Sequence, residues 1–252
     1  MNNLTQHAKK TIVVLIVLLT SCANITEEIY LNEDGSGEYL VYTDVISSTR
    51  AMMMGMMSSF YPDASEDSLR QIVDAQIWKD FPAEVDSIID FSTRVPDSIK
   101  NDPAKKKYVE KMVMFMKGSR EEAFLNSGMS FRFDNIEDLQ GFQDFMNENQ
   151  TATGGGMGMD MPDVQVTYSF NGNMFSRTST PFESVDMNDS TMMMLNTMLE
   201  GAKSRLILHL PKPAREVSQD QLMEQNGKDV IYEFDLIKVI NGEQTTDVKV
   251  KF

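Results

Sequence analysis

The sequence predicts an α+β fold, a mostly antiparallel sheet built from hairpins with about five helices interspersed. Three observations carry this. Short runs alternate apolar and polar residues around Gly-containing turns. Other stretches repeat their apolar residues every three or four positions. The C-terminal part from Arg205 onward reads as strand.

Residues 27–45, EEIYLNEDGSGEYLVYTDV, read as two strands around a turn at residues 32–37. Residues 49–60 read as a helix carrying Met52, Met53, Met54, Met56 and Met57, which stops before Pro62. Asp63 and Glu66 have the spacing of a capping box. They introduce a helix with Leu69, Ile72, Val73 and Ile77 on one face, beside Trp78. Residues 85–93 read as a strand. Asp102-Pro103 supplies an N-cap and a proline at the first helical position, opening a helix with Tyr108, Met112, Phe115 and Met116 on its face and Gly118 at its close. Residues 127–133 form a short strand, and Asp134 or Asn135 caps a helix bearing Ile136, Leu139, Phe142, Phe145 and Met146.

Residues 148–162, rich in Gly and Met, break every period and read as a flexible loop. Val164, Thr167, Tyr168 and Phe170 then lead into a tight turn at Asn171-Gly172, with residues 174–178 returning. Residues 188–203 read as a helix with Met194, Leu195, Met198 and Leu199 on one side. Residues 205–210 are an apolar strand ending at Pro211. Val230, Tyr232, Phe234 and Leu236 alternate, Asn241-Gly242 makes a two-residue turn, and Val248, Val250 and Phe252 alternate with charged neighbours, leaving one wet face. Neither side of the Gly/Met loop carries a complete core alone, so residues 22–252 read as a single domain.

Composition narrows function. The chain has 252 residues, 41% hydrophobic and 24% charged, which excludes collagen-like, coiled-coil and fully disordered classes. One Cys excludes a disulfide framework and a Cys-based zinc cluster, and two His starve most metal and triad chemistry. A net charge of −15 argues against nucleic acid and against an electrostatic hold on anionic lipid. Lys105-Lys106-Lys107 reads as a solvated helix face.

The N-terminus, MNNLTQHAKKTIVVLIVLLTSC, joins a basic pair, Lys9-Lys10, to an unbroken apolar run over residues 12–19. That run is too short to span a bilayer, for which about 18 apolar residues are needed. It ends in Leu19-Thr20-Ser21-Cys22, which resembles the lipobox of bacterial lipoproteins: an aliphatic residue, two small ones, then the Cys that is acylated. The resemblance implies a signal peptide over 1–21 and a membrane anchor at Cys22. Removal of residues 1–21 leaves 21 basic and 38 acidic groups, a net charge of −17, and no free thiol. In enterobacterial lipoproteins an Asp directly after the Cys tends to hold the protein in the inner membrane. Ala23 and Asn24 stand there instead, so the resemblance implies the outer membrane. Glu27 and Glu28, too late for the acidic cluster of surface-exported lipoproteins, imply its periplasmic face. The mature chain is similar to Bacteroidota-type envelope lipoproteins that begin with a strand–DGSG–strand hairpin. Asp34 to Gly37, Leu210-Pro211 and the segment from Asn226 to Leu236 carry that likeness, and it implies no activity.

Methionine is the compositional anomaly, with 20 in the mature chain. Met157, Met159 and Met161 alternate on the Gly-rich loop, where three thioethers suit Cu(I). The sets at 52–57, 112–116 and 192–198 are placed on helices, where Met serves as adaptable core or pliable surface. Met53, Met56, Met57, Met193 and Met194 are the candidate interaction surface. His209 lies in an apolar strand. Asn32, Asp34 and Ser36 have the spacing of alternate oxygen ligands, but the loop lacks the rest of an EF-hand and reads as a plain turn. Asp-Ser followed by an apolar residue or Thr resembles the O-glycosylation signal of Bacteroidota envelope proteins, at Ser68, Ser87, Ser98 and Ser190; the same pairs also favour helix starts. There is no Gly-x-Ser-x-Gly, His-Glu-x-x-His or phosphate loop. The expectation is a non-enzymatic, lipid-anchored envelope protein that needs no cofactor and binds a protein partner or an apolar ligand, with a Met-rich Cu(I) site as the alternative.

Overall fold

The computed structural model describes residues 24–79, 82–93, 95–149, 165–180 and 201–252. Cys22, Met157, Met159, Met161, Ser190, Met193 and Met194 lie outside them, as do the Gly/Met loop beyond Asn149 and the helix expected before Gly201.

The chain opens with the expected hairpin, β1 (Ile25–Leu31) and β2 (Gly37–Asp44). Its turn needs Gly35, whose φ is +85°. Asp44 then ends β2 and caps the next helix, its carboxylate accepting from the Ile46 and Ser47 amides at 3.0 and 3.3 Å. Helix α1 (Val45–Phe60) therefore starts four residues before the expected position. It pairs with α2 (Glu66–Ile77), capped not by Asp63 but by Ser65, whose hydroxyl accepts from the Ser68 amide at 3.3 Å. Strand β3 (Glu84–Asp90), a 3-10 turn (Phe91–Thr93), and helices α3 (Asp97–Lys100) and α4 (Pro103–Lys111) follow.

Two expectations are corrected next. Met112, Phe115 and Met116 do not continue α4. Strand β4 (Met112–Ser119) begins where the helix ends, with Met112 already extended. The run fits both periods. Pairing on both sides, with β3 and with β5 (Phe124–Phe133), decides for strand. Gly118 is then no helix cap: a Cβ there would meet the Phe124 carbonyl oxygen at 2.8 Å. After α5 (Ile136–Glu148), capped by Asn135, come β6 (Val166–Phe170), β7 (Met174–Ser179), β8 (Lys203–His209), β9 (Glu216–Val217), β10 (Leu222–Asn226) and β11 (Asp229–Asp235). The second correction is at Asn241-Gly242, which joins no hairpin. Asp235 caps α6 (Leu236–Ile240), Asn241 and Gly242 close it, and β12 (Val248–Lys251) enters a different sheet from β11.

The larger sheet has the order β10-β11-β8-β1-β2-β5-β4-β3, antiparallel except for β1 beside β8. The smaller has the order β6-β7-β12-β9 and is antiparallel throughout. Alternation dictates the packing: Ile29, Leu31, Tyr39, Phe131, Leu206, Leu208, Val230 and Tyr232 share one face of the large sheet and are buried. That inner face is covered by α5, through Ile136, Leu139, Phe142 and Phe145, and by Val166, Phe175, Val248 and Val250 of the small sheet. Phe131 and Phe142 stack at 4.2 Å. A second, smaller cluster joins the first turn of α1 to α2, β4 and β5 through Ile46, Val73, Met116 and Leu125.

One ion pair is built into this core. Glu27 of β1 faces Arg177 of β7 at 3.4 Å, and the Arg177 side chain is 7% exposed. The guanidinium also donates to the carbonyl and hydroxyl oxygens of Thr246, the first at 2.8 Å. Burial, and then the Glu27 charge, hold the nearby Tyr39 and Tyr168 phenols well above the ordinary tyrosine range.

Candidate functional site

Among the described residues, nothing covers the outer face of the large sheet in the same way. A cleft of about 940 Å³ lies along it, floored by β1, β2, β5, β4 and β3. The strand register fixes which side chains meet there. One row runs Asp229, His209, Tyr30, Glu38, Arg132 across β11, β8, β1, β2 and β5. The next but one runs Tyr42, Gly128, Phe115, Ile88 across β2, β5, β4 and β3. Gly128 is required there, since a Cβ would lie 2.2 Å from the Val41 carbonyl oxygen and 2.5 Å from the Tyr42 Cβ. Its missing side chain lets the Tyr42 and Phe115 rings approach to 6.4 Å over the gap. Ile88, at the end of this row on the edge strand, is 73% exposed.

Glu28 organises the middle of the face. Its carboxylate, 13% exposed, accepts from the Tyr42 hydroxyl at 2.6 Å and the Tyr30 hydroxyl at 2.7 Å, and meets His209 Nε2 at 3.2 Å. His209 Nδ1 meets Asp229 at 2.8 Å, and its ring stacks on Tyr30 at 4.0 Å. Burial, followed by the bond to Glu28 and its charge, pushes the Tyr30 phenol up to about 12, and the same causes raise Tyr42. With three partners on its two oxygens, Glu28 is no free base. It fixes the orientation of the Tyr30 and Tyr42 rings through their hydroxyls.

The residues picked out from sequence fall elsewhere. Met53 and Met57 are partly buried against the smaller core cluster, while Met56 is exposed. Ser68 on α2, Ser87 on β3 and Ser98 on α3 are all exposed. Asn32, Asp34 and Ser36 bond to one another: Ser36 donates from N and Oγ to Asp34 at 3.0 and 2.7 Å, and Asn32 donates to Ser36 Oγ at 2.9 Å. Among the described residues no group of three His, Cys, Asp or Glu is placed to hold a metal. Lys105, Lys106 and Lys107 pair with Glu148, Glu110 and Asp138 at the surface. Glu28, Tyr30, Tyr42 and Phe115 are not among the site candidates that the sequence offers. Glu28, Tyr30 and Tyr42 carried a visible signal, lying one position out of phase with Ile29, Leu31 and Val41 on their strands.

No family model matches the chain, and no curated protein does. A solved structure, the NMR structure of the folded domain of the Mycobacterium tuberculosis LppM protein, aligns over 90% of this chain and 87% of that one, at 11% identity and a TM-score of 0.39. Among the described residues no helix is long and apolar enough to cross a membrane.

Proposed function

We propose that the chain is a lipid-anchored envelope protein, without catalysis of its own, that binds an amphipathic ligand or partner segment on the open face of its large sheet. One observation carries the binding role: the inner face is sealed by α5 and the small sheet, while the outer face keeps an aromatic floor ordered by Glu28 under a cleft of about 940 Å³. A concave site with an aromatic floor and a few convergent polar groups is where small ligands are commonly held. An apolar portion fits over Tyr42, Phe115 and Ile88, and polar groups come within reach of Glu38 and Arg132. The anchor rests on Leu19-Thr20-Ser21-Cys22, whose context supports the periplasmic face of the outer membrane.

The test is mild-detergent purification of the native protein from its own membranes, followed by mass spectrometry of what travels with it. Tyr42→Ser with Phe115→Ser is expected to lose the bound molecule. Met223→Ser, which removes an exposed apolar side chain on β10, is expected to keep it. Equal retention by both variants, each folded, discards the face as the site.

A further inference from the structure

We infer that the α1–α2 pair is a membrane-contacting element, laid against the same leaflet that holds the acyl chains of Cys22; this rests on the lipid-anchor reading above. Asn24 is fixed to the end of the large sheet: its backbone oxygen accepts from the Thr43 hydroxyl at 3.2 Å, and its side chain accepts from the Lys203 amide at 3.0 Å. Two residues earlier comes Cys22, so the lipid-bearing residue can stand no more than about 7 Å of extended chain from that end. The domain cannot swing far from its anchor.

That same end gives rise to α1. Ile25 pairs with Thr43, and the next residue, Asp44, caps the helix. Helix α1, 16 residues and so about 24 Å long, therefore starts at the level of the anchor. Its surface suits an interface. Arg50 is its single charged residue, and Asp74 of α2 neutralises it at 2.7 Å. Of seven large hydrophobic residues exposed among the described ones, four belong to this pair and the turn joining it: Met56, Phe60, Tyr61 and Ile72. Phe60 is 78% exposed, four residues after Met56 and hence on the same side of α1. An apolar helix side held beside a lipid anchor binds at the boundary between headgroups and acyl chains, where the anchor keeps it at high local concentration. Asp63, Glu66 and Asp67 beside the tip oppose an anionic surface, so the match is to zwitterionic lipid, with little dependence on salt.

The test places the acylated full-length protein in phosphatidylcholine vesicles. Phe60→Trp, in a Trp78→Phe background, reports depth through quenching by lipids brominated on the acyl chain. Quenching of about twofold is expected for a ring seated at the headgroup boundary. Glu33→Trp, at the β1–β2 turn on the far end of the sheet, is expected to show none. Hydrogen exchange of the unaltered chain gives the same reading without substitution: residues 54–62 exchange more slowly in vesicles than in a Cys22→Ala protein that cannot be acylated. Intact mass separates the two ways of failing. A native protein lacking acyl mass overturns the anchor and this inference with it. An acylated, vesicle-bound Phe60→Trp protein whose indole stays unquenched, with exchange of the unaltered chain unchanged, overturns this inference and leaves the anchor standing.

Discussion

Glu27 and Glu28 are neighbours in sequence and opposites in the fold. A strand turns successive side chains to opposite faces. Glu27 therefore enters the core, where Arg177 of the small sheet meets it, and Glu28 faces outward, where it gathers two tyrosines and a histidine. The inner carboxylate fixes how two sheets sit on one another. The outer one fixes how aromatic rings sit on an open surface. Two adjacent carboxylates of one strand thus do different work, one joining two sheets and the other ordering side chains on the opposite face.

Breaking the inner pair is expected to have the largest effect. Arg177→Ala removes the buried guanidinium and leaves the part-buried Glu27 carboxylate without its partner, and should cost about 3 kcal/mol in urea unfolding. Replacing both, Glu27→Leu with Arg177→Met, should recover most of that loss; a double variant as unstable as the single one would show that packing, not charge, sets the cost.

The outer carboxylate should matter less to stability. Glu28→Gln is expected to cost about 1 kcal/mol, because part of its bonding survives and the site borders water. Its sharper signature is optical: the Tyr30 phenol, now at about 12, should titrate lower in the ultraviolet. The pH dependence follows. Between the ordinary tyrosine value of 10.0 and about 12 the native state keeps a proton that the unfolded chain has lost, so stability is complete below 10 and falls as pH rises through that window. The fall should be shallower in Glu28→Gln. An unchanged phenol titration would remove Glu28 as the organiser of the face.

The smallest effect is expected at Asp138. Lys107 holds its carboxyl below the usual range, so its contribution is present above the ordinary aspartate value of 3.8 and is lost as pH falls below it. At pH 7, Asp138→Asn should cost about 0.5 kcal/mol by thermal unfolding, as surface pairs do.

Much of the fold was legible where local signals agree. The first hairpin, the Pro103 helix start, the Asn135 helix and the alternation at Val248, Val250 and Phe252 each needed only neighbouring residues. Reading failed where two periods fit one run. Met112, Phe115 and Met116 suit a helix face, while Met112, Met114 and Met116 suit a strand face, and only partners on both sides choose. At Asn241-Gly242 the turn dipeptide was read without the Asp235 cap six residues earlier. The candidate face was harder still. Its rows come from seven strands scattered over the sequence, and Tyr30 gives no local sign that His209 lies beside it.

Composition and short-range spacing were enough for the α+β class, the identity of most elements, the acidic charge and the apolar run before Cys22, because each rests on residues a few positions apart or on none in particular. Three features waited for the folded chain: which face of the large sheet α5 and the small sheet cover, that Glu27 pairs with Arg177 on that face while Glu28 orders the opposite one, and that α1 begins at the end of the sheet where Asn24 is held. Those depend on strand pairing between residues as far apart as Tyr30 and His209, and local propensity carries no information at that range.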